Sequence, residues 1–289
     1  MKLLVLLHLY YHDQLPYFLE KLSHINGCDY DLTVTYSTPL EESFAALKAF
    51  KPDCTLIQVP NAGYDVWPFI YALKCTDLDR YDLLLKLHTK NIDADYVGRI
   101  NGLSVDGALW RDLLVDPLLG SDSRFASALG KFESNPRCGI VYGTELRRHL
   151  SAGLREDKEM LFYELQRLGV RTRTRWFCAG TMFIARVAPY KILQTDIVYK
   201  ELFDGKMHSH SVASMSHVYE RILSFLPSTE GYLTCTQACS RRRSAYVVVK
   251  HKVQPVLDFL FSIRRKGEEE KKYLTVLGIS ICVGGPRKI

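Results

Sequence analysis

Across its 289 residues the sequence has no CxxC pair, and its eight cysteines, from Cys28 to Cys282, follow no disulfide-framework spacing. That excludes a small stapled scaffold and a paired-cysteine metal knuckle, so reduced core thiols in a cytosolic compartment are expected. Nowhere is there the uninterrupted run of roughly 18 apolar residues that a spanning helix needs. The apolar start, LLVLLHLYY after Met1 and Lys2, passes into His12, Asp13 and Gln14 without a small-residue cleavage site, and reads as a buried first strand. Internal repeats and low-complexity segments are also missing.

What the chain does have is 47% hydrophobic residues, ample for one large α/β domain with an appendage. Its net charge of +6 is unevenly placed. Arg241, Arg242, Arg243, Lys250, Lys252, Arg264, Arg265, Lys266, Lys271, Lys272, Arg287 and Lys288 crowd the C-terminal stretch. This divides the chain into a domain over 1–240 and a basic amphipathic tail over 241–289, suited to an anionic membrane surface. Nucleic acid is not the expected partner, because the charge lies mostly outside the folded sheet and aromatic residues are not interleaved with it.

Leu3–Leu9 is an apolar run of strand length, and Gln14–Ile25 carries Leu15, Phe18, Leu19 and Leu22 at helical spacing. The same βα unit follows twice: strand Tyr30–Tyr36 with helix Leu40–Phe50, then strand Cys54–Val59, closed by Pro60, with helix Val66–Cys75. Tyr81–Leu87 is a fourth strand, nearly continuously apolar, as strands buried on both faces are. The alternation predicts a Rossmann-type, mostly parallel α/β sheet with helices on both faces and ligands outside the carboxyl ends of its strands. Beyond it, helices are predicted over Gly107–Leu119, Ser123–Phe132 and Leu154–Leu168, and strands over Cys138–Tyr142 and Gly180–Ala185. Met215–Leu226 is a helix expected to stop at Pro227, and Val253–Ile263 an amphipathic helix between basic residues.

The loop Pro60–Asp65 leaves a strand end and enters a helix. Gly63 permits close backbone approach to a ligand, with Asn61 and Asp65 beside it; alternatively, Asn61 caps locally and Asp65 caps the helix from Val66. Strand alternation puts Lys86, His88 and Lys90 on one face and Leu87 and Thr89 on the other. Three cation-capable groups there fit an anion such as a diphosphate, unless the strand has simply emerged into solvent. Gly180 and Thr181 offer a backbone donor and a hydroxyl to a sugar, or a plain strand entry. His217, Glu220 and Arg221 share a helix face at i, i+3 and i+4. There a carboxylate or imidazole can take a proton and an arginine can steady a leaving diphosphate, an exposed ion pair being the other reading. Trp67, Trp110 and Trp176 fit the core, Trp110 beside Arg111 alternatively presenting a stacking face to an acceptor.

In order along the chain, YYHDQLPYFLEKL, YDLTVTY, VPNAGYDVWPF, YDLLLKLHTK, WRDLL, FCAGTMFIAR and HVYERIL resemble the rhamnan synthesis F family of bacterial surface-polysaccharide glycosyltransferases, over Leu3–Leu226. More distantly, Asn61-Ala62-Gly63 is similar to the Asn-x-Gly turn after the third strand of GT-A-type nucleotide-sugar transferases. Those enzymes end the fourth strand in a metal-holding Asp-x-Asp, where this chain has His88-Thr89-Lys90.

The resemblance implies a GT-A-like hexosyltransferase that moves a sugar, rhamnose favoured, from a nucleoside diphosphate donor to a lipopolysaccharide, O-antigen or capsular glycan, free or lipid-linked. It implies a donor site of Asn61, Gly63, Lys86, His88, Thr89, Lys90, Gly180, Thr181, His217 and Arg221, and an acceptor site of Trp110 and Arg111. The catalytic base is left open among Asp65, Asp204 and Glu220, because the family's acidic-Gly pair is displaced here to Asp204-Gly205. No metal is required on this reading, since His88 and Lys90 stand where the carboxylates would; Asp93-Ala94-Asp95 is the alternative, suited to Mg²⁺ or Mn²⁺. The enzyme is expected in the cytoplasm, peripheral on the inner membrane if the tail docks there. A non-catalytic carbohydrate-binding or assembly subunit on the same fold is the other functional class.

Overall fold

A computed structural model describes residues 1–95, 97–100, 103–150, 155–204, 214–239, 256, 259–266 and 271–284. The chain forms two compact units, one of Met1–Asp95 and Asp106–Cys239 and the other of Tyr96–Val105 and Ser240–Ile289.

In chain order the elements are β1 (Lys2–Leu9), α1 (Leu15–Leu22), β2 (Asp29–Tyr36), α2 (Glu41–Phe50), β3 (Thr55–Gln58), α3 (Val66–Lys74) and β4 (Leu83–His88). A short hairpin of the second unit, β5 (Gly98–Ile100) and β6 (Leu103–Val105), comes next. The first unit resumes with α4 (Gly107–Leu119), α5 (Asp122–Ser134), β7 (Cys138–Gly143), β8 (Arg147–His149), α6 (Arg155–Arg167), β9 (Trp176–Cys178), β10 (Phe183–Arg186), α7 (Met215–Thr229) and β11 (Leu233–Gln237).

The main sheet has the order β11-β7-β10-β4-β1-β2-β3. It is mostly parallel, as the βα repeats predict, and β10 alone runs antiparallel, to both of its neighbours. Its two central strands, β1 and β4, bury nearly every residue, which is why they read as continuous apolar runs. Helices α4 and α5 pack together against β7, while α3 packs on β1, β2 and α7. Three helices start on a capping side chain: Asp106 accepts from Leu109 N, Ser121 from Arg124 N and Ser214 from His217 N.

Three expectations change. The strand predicted from Gly180 starts at Phe183, because Gly180 and Thr181 take left-handed φ values of 89° and 49° and form a turn. The helix predicted to stop at Pro227 runs on to Thr229. Pro227 removes the N–H that would bond Leu223 O, and the Tyr190 hydroxyl donates to that carbonyl instead, at 2.7 Å. The amphipathic helix expected over Val253–Ile263 is helical at Val256, Phe259 and Leu260 but becomes a strand at Phe261.

There, in the second unit, β12 (Phe261–Lys266), β13 (Lys271–Val276) and β14 (Ile279–Gly284) form an antiparallel sheet. Leu277 and Gly278 join the last two with φ values of 47° and 79°, both positive, as a two-residue hairpin turn requires. Cross-strand pairing of β-formers thus overrides the helical spacing. Arg241, Arg242, Arg243, Lys250, Lys252, Arg287 and Lys288 lie outside the described residues. All eight cysteines are free thiols. Among the described residues no helix is long and apolar enough to cross a membrane.

Candidate functional site

The strand order reverses between β1 and β4, and a crevice at such a switch point is where open α/β sheets bind ligands. Parallel register sets His8 of β1 directly beside His88 of β4 at its carboxyl end. Both are buried, at 6% and 2% exposure, and Lys86 beside them is 1% exposed. A lysine in an otherwise apolar strand is tolerated only with a compensating charge. Asp65 supplies it: Lys86 Nζ donates to Asp65 Oδ2 at 2.5 Å and to Thr181 Oγ1 at 2.9 Å.

Asp65 stands at the N-cap position of α3, yet its side chain accepts no capping bond. It turns away from its own helix and takes the Thr181 hydroxyl at 2.5 Å as well. Burial opposes its ionisation, but the ammonium charges of Lys86 and Lys90 hold its carboxyl well below the usual carboxylate range. Burial pushes Lys86 down, against the pull of Asp65. Lys86 and Asp65 are therefore best described as a buried cation and a half-buried anion that neutralise each other. Burial also drives His88 well below its ordinary value and His8 down to about 4, so both imidazoles are neutral near pH 7. His8 Nδ1 is 3.0 Å from Thr35 Oγ1, whereas neither ring nitrogen of His88 has a hydrogen-bond partner, its Nδ1 lying 3.4 Å from Asp65 Oδ2.

Two turns of unusual backbone meet at Asp65. Gly63 and Tyr64 have φ values of 64° and 53°, and Gly180 and Thr181 repeat the pattern. A side chain at Gly63 would meet Phe203 Cβ at 2.9 Å, and one at Gly180 would meet Trp110 Nε1 at 2.9 Å. Non-glycine residues held at positive φ cluster at functional sites, where surrounding structure enforces them. The second turn also joins two carboxylates: Thr181 bonds Asp65, and Gly180 N donates to Glu220 Oε1 at 2.7 Å.

On α7, Glu220 has a side chain 20% exposed, and its Oε2 is 4.0 Å from Arg221 Nη1. Arg221 is buried, donates to His217 O at 2.5 Å and lies over the Phe177 ring; His217 Nδ1 is 3.0 Å from Ser214 Oγ. Thr89 is buried, and its Oγ1 accepts the N–H groups of Tyr10 and Tyr11, both at 2.9 Å, tying the end of β1 to the end of β4. The backbone of Lys90 is clamped by the Gln14 carboxamide, which donates to its carbonyl and accepts from its N–H. Lys90 is half-buried, and no carboxylate pairs with it at ion-pair distance among the described residues. Asn61 is exposed, on the loop that leads into α3.

Of the other predicted residues, Trp110 borders this cluster and the rest sit apart from it. Trp110 is 9% exposed and faces Gly180 from α4, with its indole N–H unpartnered. Arg111 lies 3.7 Å over the Tyr17 ring and bonds Asp112, on the side of α4 that meets α1. Asp204 is ion-paired to Lys200 at 2.8 Å and largely exposed. Asp93 and Asp95 are exposed on the loop after β4. Two carboxylates are what Mg²⁺ takes alongside phosphate oxygens. Sequence reasoning passed over His8, Gln14 and Tyr10, the last 45% exposed at the end of β1. A signal was present in His8, a polar residue inside an apolar strand. The role of Gln14 carried none, since its partner is 76 positions away.

Comparison with known proteins adds the following. The family model described as rhamnan synthesis protein F (RgpF) matches residues 1–232. Two proteins named "Uncharacterized protein WxcX", from two strains of Xanthomonas campestris pv. campestris, are each 23% identical over 237 residues, which is 80% of this chain and 32% of theirs. The chain thus spans about a third of the length of the curated relatives it matches. Among solved structures, S. aureus TarS 1–349 aligns at 12% identity with a TM-score of 0.43, covering 89% of this chain and 66% of that one. The same protein in complex with UDP aligns with a TM-score of 0.40 at the same coverage.

Proposed function

The chain belongs to the rhamnan synthesis protein F family, and from that premise we propose that it is a glycosyltransferase of cell-surface polysaccharide synthesis using a nucleoside diphosphate-sugar donor. The observation that carries the reading is the single turn Gly180-Thr181, which holds Glu220 by its first residue and Asp65 by its second at the switch point of the sheet. A buried, charged, strained site of this kind has no structural need that an apolar core would not meet better.

Lys90 takes the donor diphosphate, as the cation at the strand end that is not already neutralised. Lys86 and Asp65 are positioning residues that fix the crevice wall, and His88, neutral and unpartnered, offers a hydrogen bond to the donor. Asn61 and Gly63 border the nucleotide, and Tyr10 offers its base a face to stack on. Glu220 is the base that takes the acceptor hydroxyl proton; Asp65, held anionic by two donors, is a poor base, and Asp204 is exposed and paired. Rhamnose is the favoured sugar and a lipopolysaccharide or capsular glycan the acceptor. The donor site works without metal, and the exposed pair Asp93 and Asp95 is the place where Mg²⁺ or Mn²⁺ would bind if it does not.

The test is a donor panel of UDP, dTDP, GDP and CMP sugars read by calorimetry, followed by transfer with the donor that binds. Lys90→Ala is expected to weaken donor binding at least tenfold, and Glu220→Gln to abolish transfer while donor binding persists. Donor binding to no member of the panel would sink the reading in favour of a carbohydrate-binding subunit. Loss of transfer in EDTA, restored by Mn²⁺ but not in Asp93→Asn/Asp95→Asn, would overturn metal independence alone.

A further inference from the structure

Residues 171–175 read Arg-Thr-Arg-Thr-Arg on the surface of the first unit, and their side chains alternate in exposure. Thr172 and Thr174 are half-buried and engaged within the protein. Thr172 Oγ1 lies 3.1 Å from Ser228 Oγ, and Thr174 Oγ1 accepts Trp176 N at 3.1 Å. Arg171, Arg173 and Arg175 are exposed, and among the described residues none of the three has an ion-pair partner. The three form a short basic stripe that bends at Arg173, where Thr174 N donates to Thr172 Oγ1 at 3.1 Å. Next in line, Trp176 is 38% exposed and lies under Arg147 of β8 at 4.1 Å.

The stripe borders a groove of about 220 Å³ whose lining includes Arg173, Arg175, Leu150, Leu165 and Phe162. Phe162 of α6 is 59% exposed and its neighbour Tyr163 66%. The face thus combines repelling, uncompensated guanidiniums with aromatic surface left in water. Each alone is unfavourable. A partner with anionic groups at its surface and apolar matter beneath satisfies both. A purely polar glycan does not, because the threonine hydroxyls that would bond it are turned inward.

We infer that this face rests on an anionic phospholipid bilayer, with the arginines at the headgroups and Phe162, Tyr163 and Trp176 at the acyl boundary. The membrane contact then belongs to the first unit and does not depend on the basic C-terminal stretch. β9 leads from this face to the Gly180-Thr181 turn, so the chain itself links the bilayer contact to the candidate site. The inference does not rest on the transferase reading, and lipid binding is measured without any donor.

Co-sedimentation of the full chain with phosphatidylcholine vesicles, with and without phosphatidylglycerol, tests it. Binding is expected only with the anionic lipid. Arg171→Glu/Arg173→Glu/Arg175→Glu should weaken it by more than about 100-fold, from the contribution of each cation near a charged surface and the repulsion of each new carboxylate. Phe162→Ser/Trp176→Ser should weaken the binding that survives in high salt. Arg264→Gln/Arg265→Gln/Lys271→Gln/Lys272→Gln should leave it within about threefold, since the stripe supplies the attraction. Circular dichroism checks folding, and if the glutamate variant unfolds, the triple Arg→Gln variant replaces it with a loss of at least tenfold expected. Wild-type binding by the arginine variant, loss confined to the C-terminal variant, or equal affinity of the stripe for a single-stranded oligonucleotide would each overturn the inference.

Discussion

Lys86 Nζ and Asp65 Oδ2 meet at 2.5 Å across 21 positions of sequence, and the lysine side chain is 1% exposed. Removing one member of such a pair leaves the other charge buried without compensation, which costs about 3–5 kcal/mol, more than the net value of the pair itself. Lys86→Met is therefore expected to lower unfolding free energy by about that amount. Asp65→Asn/Lys86→Met should recover a large part of it. Urea unfolding of both variants and of Asp65→Asn closes the cycle, and strictly additive losses would refute the coupling.

Stability should fall with pH in two windows. His8 titrates at about 4 in the folded chain against an ordinary 6.5, so the unfolded chain takes up its proton first as pH drops. Its contribution is full above about 6.5 and declines down to about 4, by on the order of 3 kcal/mol, with buried His88 acting in the same direction. Asp65 acts lower: its folded pKa is depressed, so its contribution is present above about pH 4 and is lost as pH falls through the folded value. Denaturant midpoints between pH 7.5 and 4.5 should slope downward, and His8→Gln should flatten that slope.

Three glycines with positive φ separate backbone strain from crowding. Gly27 has φ 72° and open space where an added methyl would stand, whereas Gly63 and Gly180 face atoms at 2.9 Å. Gly27→Ala should cost about 1–2 kcal/mol from the left-handed backbone alone. Gly180→Ala and Gly63→Ala should cost about 1–3 kcal/mol more from overpacking and should also weaken donor binding. Equal melting temperatures for all three would show that Phe203 and Trp110 yield freely.

Pro227 is carried inside α7 because Tyr190 Oη satisfies Leu223 O at 2.7 Å. Tyr190→Phe leaves that buried carbonyl unpaired and should cost about 1–3 kcal/mol. In a Pro227→Ala background the restored helix N–H competes for the same carbonyl, so the same change should cost less. A double-mutant cycle by thermal unfolding measures the difference.

Much of the sheet was legible because local rules and burial agree in it. The apolar runs Leu3–Leu9 and Tyr81–Leu87 announced central strands, and Gly107–Leu119 became a helix with those bounds. Where two patterns competed, as in Val253–Ile263, helical spacing was visible and cross-strand pairing was not. Within the site, Lys86, His88 and Lys90 stood out as charge-bearing residues ending a buried strand, Asp65 as a carboxylate in a loop and Glu220 as one sharing a helix face with His217 and Arg221.

What the sequence by itself determined is the order of βα units and the polar insertions in the fourth strand. Both follow from chemistry within a few positions of each residue. What only the tertiary structure decided is how those groups are used. It joined Asp65 to Lys86 and Thr181 rather than to its own helix, set His8 beside His88, and hung Asp65 and Glu220 on consecutive residues of one strained turn. Such partners are tens to more than a hundred positions apart, and only sheet register and helix packing bring them within hydrogen-bond distance.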